Sequence, residues 1–501
     1  MQPTELTGRP RINKAGLIVT AELDQAISRC RSKVQKLAKD CRRGNRRYRR
    51  VHFRRLPTDT LISCAEFDAC RRDIDFDLLE DRDNCLHGII VEPNPKKYTP
   101  TEALRVTQIF HDPKFFVDGA TASDIAQGYL GDCWFLSALA VVATAGLIEQ
   151  ICVERDEKVG IYGFIFWRDS GWVDVIIDDL LFVKVPRWTA LTDREHMLYK
   201  NDQDAYAKDA RKGSKALYFG KSREENETWV PLIEKAYAKL HGDYASLEGG
   251  YTNEAVEDLT GAVSTLMYTQ DILDPDEFWK SELLNVREDR AFACYNPNTM
   301  NMTGTTLTNG LVVNHTYSVI KAIEFNGKRF LKVRNPWGMY EWTGRWSDGS
   351  KEWEGQWLEA LSALDYKFGD DGEFIMEYSD FLQAWDVVEK CRLFDEQWSC
   401  SQLWLLANLA TYPRPTNYGD VSFTFSLSKD TDAVIVLAQL DTRYFRGLSS
   451  HYTFSLHCQI FKEGQDDPVS MSTHNKFWDR SVNLEAFLEA GDYVVQVPNF
   501  S

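Results

Sequence analysis

The most constraining feature of this 501-residue chain is the stretch Gln127-Gly128-Tyr129-Leu130-Gly131-Asp132-Cys133-Trp134, which opens the apolar run Phe135 to Val142. Such a run predicts a buried helix with Cys133 at its start. There, unpaired backbone N–H groups and the helix dipole favour the thiolate, the nucleophilic form of the side chain. A Gln amide just upstream can donate a hydrogen bond to the oxyanion of a tetrahedral intermediate. Gln127 and Cys133 thus supply two of the four parts of a cysteine acyl-transfer site. The plain alternative is that Cys133, one of eleven cysteines, is a buried small hydrophobe.

The other two parts lie further on. His315 stands in Val312-Val313-Asn314-His315-Thr316-Tyr317-Ser318-Val319, and Asn335 in Val333-Arg334-Asn335-Pro336-Trp337-Gly338. Between them, Thr316 to Phe325 is rich in β-branched and aromatic residues, Asn326-Gly327 is a strong hairpin turn, and Phe330 to Arg334 resumes the strand pattern. A two-residue turn alone leaves His315 and Asn335 on opposite faces of the hairpin. A bulge or a three-residue loop restores a common face, so one of these is expected. The roles then follow: Cys133 attacks a carbonyl, His315 takes the thiol proton and later returns one to the leaving amine, and Asn335 holds the imidazole. Trp337 can shield that hydrogen bond from water.

Together these segments resemble the calpain family of cysteine endopeptidases. Further matching stretches are Trp172-Val173-Asp174-Val175, Asp178-Asp179-Leu180-Leu181, Leu232 to Lys239, Glu341-Trp342-Thr343-Gly344 and Asp371-Gly372-Glu373-Phe374. The order Cys, His, Asn suits a papain-like site and argues against a transglutaminase, whose third member is an Asp. The resemblance implies an α+β protein: a papain-like two-lobed protease core, then an antiparallel β-sandwich, with a short basic N-terminal helical segment in front. The expected domains are 1–95, 96–392 (lobes about 96–248 and 251–392) and 393–501. Gly249-Gly250 is the expected hinge between the lobes, and Gly250, by resemblance, offers backbone hydrogen bonds to an extended substrate.

The family likeness also implies two calcium ions in the protease core. In the first lobe it points to backbone oxygens of Val117 and Gly119 with the carboxylates of Asp124 and Glu227. In the second it points to Glu341, Asp348, Asp371 and Glu373, with a backbone oxygen from Gly369. Hard oxygen donors of this kind suit Ca²⁺; the plain alternative is an acidic turn around Asp370-Asp371-Gly372. Two departures stand out. An Arg that in the family links the two calcium sites is replaced by Ala122, and the family's Gly before the His by Asn314. Weak cooperativity between the calcium sites is therefore the expectation.

Composition sets the remaining bounds. The run Phe135 to Ile148 is shorter than the roughly 20 residues that span a bilayer, and Met1 to Pro10 has no apolar signal core. Scattered cysteines fit a reducing, cytoplasmic setting. Residues 1–72 carry 18 Lys/Arg against 7 Asp/Glu, so an excess of +11 precedes a body of −28. That distribution disfavours nucleic acid as a ligand of the body. It lets the arm touch an acidic surface: a membrane, for which the β-sandwich is the other candidate face, another protein, or the body itself. The stripe Leu23, Ile27, Cys30, Val34, Leu37, Cys41 predicts a docked helix. Arg50 to Arg72 reads as an insertion, and 193–215 as a solvated excursion. Short alternating strands at Val421–Phe425, Val434–Leu437, Tyr452–Ile460 and Tyr493–Val497 predict the sandwich. No Asp-x-Asp-x-Asp-Gly loop occurs, so no EF-hand partner subunit is implied.

The reading is a calcium-dependent endopeptidase making limited cuts in protein substrates. Its rival from another class is a non-catalytic calcium- or membrane-responsive adaptor, disfavoured because every catalytic position is filled. A third possibility is a core that binds calcium and never closes, because Ala122 miscouples its lobes.

Overall fold

A computed structural model describes residues 16–20, 22–49, 76–89, 100, 102–169, 171–297, 309–404, 418–445, 455–472 and 479–498. The expected insertion from Arg50 to Arg72 lies outside them, as do Met1 to Pro10 and Tyr452 to Phe454.

Helix α1 (Leu23–Arg43) carries Asp24 in its first turn and Arg42 and Arg43 in its last, the charge order that the helix dipole favours. It buries Ala26, Cys30, Val34, Ala38 and Cys41, and it lies on an antiparallel sheet of β1 (Cys152–Asp156), β2 (Ile161–Arg168) and β3 (Gly171–Asp178). The basic face of α1 turns to the acidic body: Arg29 and Lys33 both pair with Asp174, at 2.5 and 2.9 Å, and Arg42 pairs with Asp156. Of the acidic surfaces open to the arm, this helix meets the body's own.

Close approach of α1 to the sheet depends on Gly163 in β2. A Cβ there would stand 2.6 Å from Cys30 Sγ and 2.7 Å from Val34 Cγ2, well inside contact distance. Gly163→Val is expected to cost about 1–3 kcal/mol by overpacking. In hydrogen exchange α1 should lose protection first; unchanged protection there would show that the helix tolerates the displacement.

Helix α2 (Cys133–Thr144) is apolar on all sides, so it is buried on all sides. It packs against α4 (Thr252–Thr260) and strand β6 (Thr316–Phe325). Helix α3 (Trp229–His241) ends at Gly242, whose φ of +107° only glycine adopts freely. With α1 and its sheet these helices share one large core.

A second core lies on a six-stranded antiparallel sheet. Its strands are β4 (Val263–Tyr268), β5 (Arg290–Tyr295), β6, β7 (Lys328–Arg334), β8 (Glu373–Glu377) and β9 (Val387–Arg392), in the order β8-β7-β6-β5-β9-β4. The β6–β7 turn is Asn326-Gly327, with φ of +48° and +78°, so its twist matches that of the strands. Phe325 pairs with Lys328, and the register then shifts between Val319 and Lys321, where Ile320 is the extra residue. This is the expected bulge.

Beyond β9, strands β10 (Tyr418–Leu427), β11 (Thr431–Ala438), β12 (Gln459–Lys462), β13 (Ser470–Met471), β14 (Ser481–Leu488) and β15 (Gly491–Pro498) follow. They form a four-stranded sheet, β10-β15-β12-β13, and a β11-β14 pair. Cys458, Ile460, Leu484, Leu488, Tyr493 and Val495 fill one core between them. The stretch 193–215 forms two short, mostly exposed helices, Asp193–Leu198 and Gln203–Asp209.

Candidate active site

The bulge at Ile320 sets the site. Beyond it Ser318 pairs with Arg334, so Tyr317 stands level with Asn335 and His315 two residues away on that same face. His315 Nε2 lies 2.7 Å from Asn335 Oδ1. The Asn335 amide nitrogen donates to the carbonyls of Met339 and Tyr340 at 2.6 and 3.1 Å, which fixes which way the side chain points. Trp337 covers the pair with its ring centroid 4.2 Å from that of His315. Asn314, standing where the family has Gly, holds φ +54°, a conformation Asn tolerates better than other side chains.

Cys133 begins α2 behind Asp132. The helix is fixed to β6 by reciprocal bonds: Ser137 Oγ donates to the Thr316 carbonyl and Ser318 Oγ to the Ser137 carbonyl, each at 3.1 Å. Cys133 is thereby placed beside the residue that follows His315. Among the described residues no hydrogen bond joins the Cys133 thiol to the His315 ring.

The electrostatics differ from the sequence expectation. Burial pushes the Cys133 thiol up to about 11, with Asp132 adding to the rise and the backbone at Thr316 opposing it. Burial also takes His315 down to about 4, against the Asn335 hydrogen bond. The helix start does not produce a thiolate here, because desolvation outweighs the dipole. The resting pair is a neutral thiol and a neutral imidazole. Gln127 is likewise engaged elsewhere: its Nε2 donates to the Leu130 carbonyl at 2.7 Å, while its buried Oε1 has no partner among the described residues.

Gly250 is closed in from behind. A Cβ there would overlap both Trp134 and Arg443, and Arg443 donates to the Gly249 carbonyl at 2.8 Å while lying 4.1 Å from the Trp134 ring centroid. Arg443 comes from the C-terminal sheet region, and no local pattern in the sequence marks it.

The acids that the resemblance selected form two clusters. In the first, Glu227 accepts from the Val117 N–H at 2.8 Å and from Ser222, while both Asp124 oxygens are taken by Thr121, at 2.6 and 2.7 Å. Gly119, at φ +95°, belongs to the loop between them. Burial, with Asp124 nearby, pushes Glu227 up to about 7. In the second, Glu341 accepts from the N–H groups of Asp371 and Gly372 at 3.1 and 2.8 Å, and Asp348 from that of Gly369 at 2.8 Å. Burial, with Asp348 and Asp371 nearby, lifts Glu341 to about 7 as well. Glu373 stands apart, paired with Lys332 at 2.7 Å and Arg334 at 3.3 Å. Among the described residues no cation pairs with Asp124, Glu227, Glu341, Asp348 or Asp371 through its carboxylate, yet no three of the second-cluster acids bring ligand atoms within 4.8 Å of one another.

Two arginines join the clusters. Buried Arg334 reaches the carbonyls of Ser123 and Ile125, both at 3.1 Å, and that of Asp371 at 3.3 Å. Arg223 donates its backbone N–H to Asp124 O at 2.6 Å and its guanidinium to Asp371 O at 2.7 Å. Sequence reasoning missed both, since a single Arg in a loop or strand carries no periodic signal.

The family model described as calpain family cysteine protease matches residues 80–392. Calpain-9 of Rattus norvegicus is 36% identical over 300 residues, covering 58% of this chain and 39% of that protein. The calpain-1 catalytic subunit of Bos taurus is 35% identical over 312 residues, covering 60% and 39%. The match thus spans about two fifths of the length of these relatives. With the family model covering more than half of the chain, this protein belongs to the calpain family of cysteine proteases.

Proposed function

We propose that the chain is a calcium-dependent cysteine endopeptidase that makes limited cuts in protein substrates through Cys133, His315 and Asn335. The observation that carries this reading is the His315–Asn335 bond of 2.7 Å beside the start of the Cys133 helix. Cys133 Sγ forms the bond to the scissile carbonyl carbon as His315 takes the thiol proton. His315 then gives that proton to the leaving amine as the C–N bond breaks, and a water with His315 as base releases the acyl group. Asn335 accepts the imidazole N–H and keeps its orientation. Gln127 and the Cys133 backbone N–H receive the oxyanion, which requires the Gln127 amide to leave Leu130. Gly250 and Trp337 border the bound peptide.

The two lobes of the expected papain-like core, about 96–248 and 251–392, would each hold one calcium ion. Asp124 and Glu227, with the carbonyls of Val117 and Gly119, would hold the first. Glu341, Asp348 and Asp371, with the carbonyl of Gly369, would hold the second; Glu373 contributes its carboxylate only by leaving Lys332 and Arg334. The carboxylates lifted by burial, at Glu227 and Glu341, fit a divalent cation. Calcium supplies the countercharge that lets these acids draw together.

The test is hydrolysis of casein by the purified chain with calcium and with chelator. Cleavage under calcium alone is expected. Cleavage unchanged by chelator would sink the calcium dependence, and none in either condition would sink the protease.

A further inference from the structure

The C-terminal sheets meet the first core at a buried cluster outside the active site. His241 closes α3, Asp258 lies in α4, and Asp441 follows β11; one ligand atom from each lies within 4.8 Å of the other two. The His241 side chain is fully buried, and among the described residues neither ring nitrogen has a hydrogen-bond partner. Its ring is held rigidly, stacked on Tyr444 at 4.8 Å and edge-on to Tyr237 at 4.5 Å. A buried polar group without a partner is costly, and a neutral imidazole so placed is a metal ligand waiting for its ion.

The charge count agrees. The nearby guanidiniums are already taken: Arg443 by Glu254 at 2.9 Å, Arg168 by Asp169 at 3.6 Å, and Arg480 by Glu257 and Asp258 at 2.5 and 2.7 Å. Asp441 Oδ1 accepts from the Arg443 N–H at 2.8 Å, and Oδ2 has a 3.5 Å contact with the same Arg480 nitrogen but no hydrogen bond among the described residues. Among the described residues five carboxylates therefore face three guanidiniums in these ion pairs.

We propose that His241, Asp258 and Asp441 form a site for a transition-metal dication, Zn²⁺ in particular, which fastens the C-terminal sheet region to the protease core. One imidazole and two carboxylates select a borderline ion such as Zn²⁺ over Ca²⁺, which prefers oxygen donors throughout. Ligands at about 2.0–2.2 Å from a tetrahedral ion stand roughly 3.4 Å apart, and His241 Nε2 is now 3.9 Å from Asp258 Oδ2. Oδ2 also accepts from Tyr237 Oη at 2.6 Å, and its second lone pair is the one left for the ion. A fourth position remains for water.

The test uses the full chain carrying Cys133→Ser, which removes the thiol of the candidate active site, in millimolar calcium to fill oxygen-only sites. Titration with Co²⁺ is expected to give the visible ligand-field bands of a tetrahedral site. They should saturate at a single equivalent, be displaced by Zn²⁺, and lack a thiolate charge-transfer band. Adding His241→Phe, which keeps the ring stack on Tyr444, or Asp441→Asn, which keeps the volume, should weaken binding by about 100-fold or more. Absence of the bands in the parent overturns the site directly. Bands that persist in either folded variant, or that carry thiolate character, also overturn it by placing the ion elsewhere. Asp441→Asn keeps the comparison available if His241→Phe does not fold.

Discussion

Cys133→Ser is expected to lower calcium-dependent casein hydrolysis by about 10⁴-fold or more, the usual consequence of removing the nucleophile from a coupled triad. The fold should be preserved, because the two side chains differ by little volume and the site is anchored by other groups. Ser137 and Ser318 tie α2 to β6, and Trp134 Nε1 donates to the Leu247 carbonyl at 2.8 Å. The unfolding midpoint should therefore stay close to that of the parent. Charge state sharpens the prediction. With the thiol up at about 11 and His315 down at about 4, the proton at neutral pH belongs to sulfur by a wide margin. Without calcium, alkylation of Cys133 should be slow and should still be rising above pH 9. With calcium, closure should bring the imidazole to the thiol and yield an alkylation rate that is already high at pH 7. Full hydrolytic activity in Cys133→Ser would mean that another residue is the nucleophile. Alkylation at pH 7 indifferent to calcium would mean that the resting pair is already assembled.

What was legible in the sequence and what was not follows from how local each feature is. The β6–β7 hairpin and its turn could be read from Asn326-Gly327, and face parity demanded a bulge or a three-residue loop; that it is a bulge, and at Ile320, is set by the assembled sheet. The buried helix behind Cys133 was legible in its unbroken apolar run. Strand β14 was missed, although Ser481 to Leu488 alternates in burial along much of its length; Val482 is its only β-branched residue, so its strand signal is weak. The protonation of Cys133 came out opposite to expectation because burial is a property of the assembled fold, while the helix start is local. Arg443, Arg334 and Arg223 were illegible for a similar reason. Each acts on backbone carbonyls far away in the chain, and a carbonyl has no sequence.

Arg223→Ala is expected to raise the calcium concentration for half-activation about tenfold or more and to bring the Hill coefficient down towards 1. The expectation of weak coupling rested on Ala122, which lacks the charged side chain that in the family spans the two sites. Arg223 offers that span from a different position. Its backbone N–H holds the carbonyl of Asp124, in the first acidic cluster, at 2.6 Å, and its guanidinium holds the carbonyl of Asp371, in the second, at 2.7 Å. A weaker 3.5 Å contact reaches Gly338, three residues past Asn335. Hydrogen bonds from a charged donor contribute about 1.5–3 kcal/mol, and 1.4 kcal/mol is a tenfold change in an equilibrium constant. Arg334 makes a parallel span, but it is wholly buried and pairs with Glu373, so its removal would leave that carboxylate with one cation fewer and unsettle the fold itself. Arg223 is in no ion pair among the described residues, and its loss removes the connection with little other damage. Arg223→Lys is the informative control, since a point charge cannot serve both carbonyls as the planar fork does; it should recover part of the affinity and little of the cooperativity. If the parent activates with a Hill coefficient near 2 and Arg223→Ala does the same at the same calcium concentration, Arg334 alone carries the coupling. A parent coefficient near 1 would instead return the argument to Ala122, with the two clusters filling independently.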